Sequence, residues 1–123
     1  MRTYDPLIYP LNVVIARTEK ELNRKYESPN GGNIEKSTGC ATTYQMNGRN
    51  GGSATVGIVF RRKPEMDTIA HEAFHAAHNI MTFIHEDFVY DGTNESWAYL
   101  IGWIALCIED FVKKEFKENE SKN

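Results

Sequence analysis

Cysteine is scarce in this sequence. Cys40 and Cys107 are the only two in 123 residues, and they are widely separated. A disulfide framework is therefore not expected, and Cys107, set in an apolar run, reads as a small core residue. Long hydrophobic runs are missing too. The longest, Trp97 to Ile108, falls well short of the roughly 18 residues that span a bilayer, so it reads as a buried helix and no membrane partner is expected. The N-terminal stretch lacks the long apolar segment of a secretion signal because Asp5, Pro6, Pro10 and Asn12 interrupt it, and the expected location is cytoplasmic. There is no excess of positive charge: the net charge is -3, with both signs spread along the chain. Without a basic stripe, nucleic acid is not an expected partner.

What remains is ordinary globular composition, 41% hydrophobic and 25% charged, enough for one core and too little for two. A single domain over 1–117 is expected, with a frayed tail at 118–123, where residues of mixed charge follow the last helix. Leu7 to Ala16, rich in Leu, Ile and Val, reads as a first strand. Thr18 then offers an N-cap, and Glu21 completes a capping box for a helix of about two turns, to near Tyr26. Cys40 to Met46 and Ser53 to Arg61 read as strands joined across the Asn47–Gly52 turn.

Pro64 suits the first turn of a helix. Met66, Ile69, Ala70, Ala73, Phe74, Ala77, Ile80, Met81 and Ile84 then recur at helical spacing to about His85. Asp87 to Asn94 reads as a loop and Asn94 to Phe116 as a last helix. The order β-α-β-β-α-α predicts an α+β domain: a small antiparallel-containing sheet, an N-terminal helix and two long C-terminal helices, with the helices on one face.

The chemistry is concentrated in His71-Glu72-Ala73-Phe74-His75. Residues four apart on a helix lie one turn apart on nearly the same face, so His71 and His75 can direct ring nitrogens at one ion, with Glu72 beside it. A carboxylate in that position can accept a proton from metal-bound water and return it to a leaving amine. This composition produces such a string by chance in about one chain in a hundred, so its setting on a long half-buried helix matters. Zinc needs a third protein ligand, and Glu95 is the best candidate. It opens the last helix on a face that continues through Ala98, Gly102 and Ala105 or Leu106, small enough to approach the alanines of the preceding helix. His78, His85 and Thr82 extend the polar ridge of the histidines, and His78 is a candidate for touching substrate.

A helical His-Glu-x-x-His followed by a Glu on the next helix resembles the gluzincins, a group of zinc peptidases, and in a chain this short it is most similar to their small stand-alone members, the minigluzincins. The likeness covers roughly 53–110. It implies a zincin-like fold, one Zn2+ held by His71, His75 and Glu95, Glu72 as general base, and a peptide or protein substrate. Thermolysin-like members carry Asp four residues after the ligand Glu, whereas this chain has Tyr99, a candidate for orienting a histidine or steadying an oxyanion. In zincins the substrate lies extended along an edge strand, a role that Ser53 to Phe60 would take here, with Gly57 allowing close approach. Methionine-turn peptidases are a poor match, since His78 and Met81 stand where their Gly and third His belong. A peptide-deformylase-like site using Cys40 is a distant alternative. A different class of reading is a catalytically inactive zincin-like binding or scaffold protein, forming a homo-oligomer through the apolar last helix.

Overall fold

The computed structural model describes residues 1–86, 92 and 94–117. It is an α+β fold with five strands and three helices. They follow in the order β1 (Arg2–Tyr4), β2 (Val13–Ala16), α1 (Glu19–Asn23), β3 (Tyr26–Glu27), β4 (Ala41–Gly48), β5 (Ala54–Phe60), α2 (Met66–Phe83) and α3 (Glu95–Glu115). The expected tail at 118–123 and most of the expected loop Asp87 to Asn94 lie outside the described residues. The strands form one sheet in the order β1-β2-β5-β4-β3, with β2 and β5 parallel and every other pair antiparallel.

Both faces of the sheet are covered, which is why β2 is buried at every position and shows no alternation. Val13, Ile15, Val56, Ile58 and Phe60 join the core beneath α2 and α3. Val14, Ala16, Met46 and Val59 pack on the other side with Leu22 of α1 and Ile34. The helices therefore do not share a face as expected: α1 lies opposite the two long ones. Gly57 is filled in rather than open, since a Cβ there would stand 2.8 Å from the Met46 sulfur.

The expected strand from Leu7 shrinks to its last four residues. The Asp5 carboxylate accepts from Leu7 N–H at 2.8 Å, turning the chain so that Leu7 and Ile8 project outward, 86% and 84% exposed. Thr18 caps α1 as expected, accepting from Glu21 N–H. The Glu21 carboxylate reaches one residue further back than a capping box requires, to Arg17 N–H at 3.0 Å. α2 ends in a Schellman turn, in which Glu86 N–H donates to Met81 C=O and His85 N–H to Thr82 C=O. His85 is its left-handed residue, with φ 60°.

α2 buries Glu72, Ala73, Ala76, Ala77, Ile80 and Met81. Met66, Ala70 and Phe74, expected on the apolar face, are exposed. α3 meets α2 with large side chains, since Trp97, Leu100 and Ile104 are buried in the cluster that holds the α2 alanines. Close approach thus comes from small residues on one helix receiving large ones from the other. The small-residue face proposed for α3 is outside, with Ala98, Gly102 and Leu106 exposed.

Candidate metal centre

α2 crosses the β4 side of the sheet, and the register between them builds the site. On β4, Arg61 N–H donates to Cys40 C=O and Gly48 N–H to Ser53 C=O, so the even-numbered residues exchange main-chain bonds with β5. Ala41, Thr43 and Gln45 therefore turn their N–H and C=O groups to the other edge. There β3 pairs only with Asn47 and Gly48, and no backbone bond to Ala41, Thr43 or Gln45 is made from that side among the described residues. β4, not β5, is the strand with an open edge beside the motif helix. β5 is paired along both sides, by β2 and β4, and cannot receive a substrate main chain as expected.

His71, Glu72, His75 and Asn79 of α2 face Ala41, Thr42 and Thr43 of β4 across a cavity of about 270 Å³. The Nε2 atoms of His71 and His75 stand 3.1 Å apart, with the rings nearly perpendicular at 76°. Two nitrogens at roughly 2.0–2.1 Å from one tetrahedral ion lie about 3.3 Å from each other, so the pair already has the spacing of a chelate. Without an ion, one ring donates to the other. Glu72 is only 5% exposed. Its Oε1 accepts from the Thr43 hydroxyl at 2.7 Å, and its Oε2 lies 4.0 Å from His71 Nε2. That places the carboxylate beside the histidine pair, outside bonding distance of His71. Two imidazole nitrogens at this spacing are donors of the kind zinc takes, two of the three protein ligands that a catalytic zinc needs.

The other expected residues stand elsewhere. Glu95 is exposed and lines, with Tyr99, Pro6, Tyr9 and Trp103, a different cavity of about 500 Å³. Among the described residues no three His, Cys, Asp or Glu side chains are grouped to hold a metal, so Glu95 is not brought to the histidine pair. Tyr99 is 77% exposed. His78 stacks on Phe74, centroids 6.2 Å apart and rings 6° from parallel, and lies 6.0 Å from the Trp97 ring. Cys40 Sγ approaches Thr68 Oγ1 at 4.0 Å, and Cys40 does not line the histidine cavity. Thr43 is the residue sequence reasoning missed. Its signal was the two-residue alternation Ala41, Thr43, Gln45 on the strand ahead of the motif helix.

No family model matches this chain, and no curated protein or solved structure matches it either. No helix among the described residues is long and apolar enough to cross a membrane.

Proposed function

We propose that this chain is a zincin-like, zinc-dependent peptidase whose reacting carboxylate is Glu72. The observation that carries the reading is the buried Glu72, oriented by Thr43, next to two histidine nitrogens at chelating distance. His71 and His75 would hold the ion; Glu95, the third ligand that the gluzincin resemblance implies, stands at the other cavity and would join them only if the start of α3 turned inward. A bound zinc would polarise the scissile carbonyl and acidify its attacking water. The work of the chain's own groups follows from their positions. The Thr43 hydroxyl fixes Glu72 Oε1, which leaves Oε2 to take a proton on the cavity side and return it to the leaving amine. The unpaired main-chain groups of Ala41, Thr43 and Gln45 would hold an extended peptide by strand addition. Neither Tyr99 nor His78 lines the cavity, so this reading assigns proton transfer to Glu72 alone.

The test is zinc stoichiometry and peptide hydrolysis in parallel. The wild type is expected to bind one zinc, and Glu72→Gln to bind it equally while losing about 10²–10⁴-fold in rate. His71→Ala should lose both, and weaker zinc binding in Glu95→Ala would show that Glu95 reaches the ion. Negligible zinc in the wild type, or full activity in Glu72→Gln, would overturn the proposal.

One arrangement favours a second reading, a zincin-shaped binding protein without catalysis. Glu95 stands on an outer face with Tyr99 and Leu106, which are 77% and 65% exposed, and such a face suits self-association of α3. Zinc bound without any peptide hydrolysis, together with a stable dimer by light scattering, would favour it.

A further inference from the structure

The groove between α2 and β4 does not stop at the histidines. Asn79 lies one turn beyond His75, about 6 Å along the helix. Gln45 lies two residues beyond Thr43, about 6.7 Å along the strand. These matched advances bring the two side chains together, and Gln45 Nε2 donates to Asn79 Oδ1 at 3.2 Å. Asn79 lines the histidine cavity and also a second one of about 300 Å³, whose apolar lining includes Leu11, Met46, Val56 and Phe83. Leu11 and Val56 form a buried floor, whereas Phe83 is 52% exposed, an aromatic wall open to solvent.

We infer that this second cavity is the specificity pocket of the groove, taking one large aliphatic or aromatic side chain from an extended peptide, two residues away from the bond that lies over Glu72. The inference rests on the peptidase reading for the position of that bond. A strand added to the open edge of β4 repeats its side-chain direction every second residue, about 6.7 Å apart. A residue over Thr43 and Glu72 therefore places its next same-facing neighbour at the Gln45–Asn79 bridge, against Phe83. The cavity adjoins the candidate site through Asn79 and offers no charged group among the residues that line it. An acidic or basic side chain would lose its hydration there without a partner, while an apolar one would cover the exposed face of Phe83.

Two measurements separate this inference from the reading beneath it. In the first, a peptide library is digested with the zinc-loaded wild type and the cleavage sites are sequenced. Large apolar residues are expected to be enriched about tenfold or more at one position two residues from the cut, and Phe83→Ala, a change at an exposed side chain, should flatten that preference while cleavage continues. Cleavage with no preference there, or a preference unchanged in Phe83→Ala, would overturn the pocket and leave the peptidase standing. In the second, the binding of blocked peptides carrying Leu, Ala or Asp at that position is measured by fluorescence anisotropy on Glu72→Gln, with and without Phe83→Ala. A Leu preference that Phe83→Ala removes supports the pocket even where no hydrolysis is seen. Equal binding of all three peptides, or none, would overturn it.

Discussion

Two glutamates are buried to the same degree on opposite faces of one sheet, Glu19 and Glu72, each 5% exposed, and the protein treats them differently. On the α1 face, Glu19 Oε2 receives both the Arg61 guanidinium and the Tyr44 hydroxyl. Burial pushes its pKa up, but the Tyr44 hydroxyl, the backbone and Arg61 together hold it below the usual carboxylate value. On the α2 face, Glu72 has the Thr43 hydroxyl, and its nearest ion-pair partner among the described residues is His71 at 4.0 Å. Glu19 is a closed ion pair that ties β4, the residue after β5 and α1 together. Glu72 has no Arg or Lys beside it among the described residues, and it faces a cavity lined by two histidines. A carboxylate that only holds the fold is expected to be satisfied within the fold, and under the proposed reading Glu72 differs because it keeps one oxygen for chemistry.

The comparison breaks most visibly at Arg61. Its side chain is 15% exposed and that of Glu19 6%, so Arg61→Ala strands a buried carboxylate without its cation. The expected cost is about 3–5 kcal/mol, read as a lower midpoint in urea unfolding. A loss under about 1 kcal/mol would mean that Glu19 is no better satisfied than Glu72, and the contrast would fail.

Tyr44 gives a smaller effect with a pH signature. Burial and its hydrogen bond to Glu19 push the phenol up to about 12, against about 10 in an unfolded chain. The folded state therefore favours the protonated phenol. That contribution is complete below pH 10 and is lost as pH rises from about 10 to about 12. Tyr44→Phe should lower stability at neutral pH by about 1.5 kcal/mol and flatten the alkaline decline over that interval, as measured by thermal melts from pH 8 to 12. An alkaline profile identical to wild type would remove Tyr44 from the Glu19 network.

How much of this was legible in sequence depends on what each feature rests on. The β4–β5 hairpin and α2 were readable because their periodicities run over many residues, and the i, i+4 spacing alone put His71 and His75 on one side of a helix. β1 and β3, of three and two residues, carry too little pattern to be seen. The facing side of α3 was misassigned because Trp97 to Ile104 is apolar nearly all round, so amphipathicity names no face. Burial then went to the larger side chains, and Glu95 was turned away from the histidines. Thr43 was missed for a different reason: alternation along β4 marks its face, but its partner is set by the register of β4 against α2, which neither segment encodes alone.

The smallest expected effect is the sharpest test of the contrast. Glu72→Gln keeps the shape of the side chain and leaves the Thr43 hydroxyl an amide oxygen to donate to, while removing a buried carboxylate whose nearest ion-pair partner among the described residues is His71 at 4.0 Å. Stability without zinc should stay level or rise, by no more than about 1 kcal/mol, in the same urea titration that shows the large loss in Arg61→Ala. With zinc in excess, the variant should gain the RT ln(1 + [L]/Kd) of a bound ion as the wild type does, about 2.7 kcal/mol at a hundredfold excess over Kd, because the proposed site has Glu72 beside the ion and not ligating it. A loss of several kcal/mol in the metal-free variant would instead make Glu72 a second structural carboxylate like Glu19. The difference between the two faces would then be one of geometry, with no reserve for chemistry.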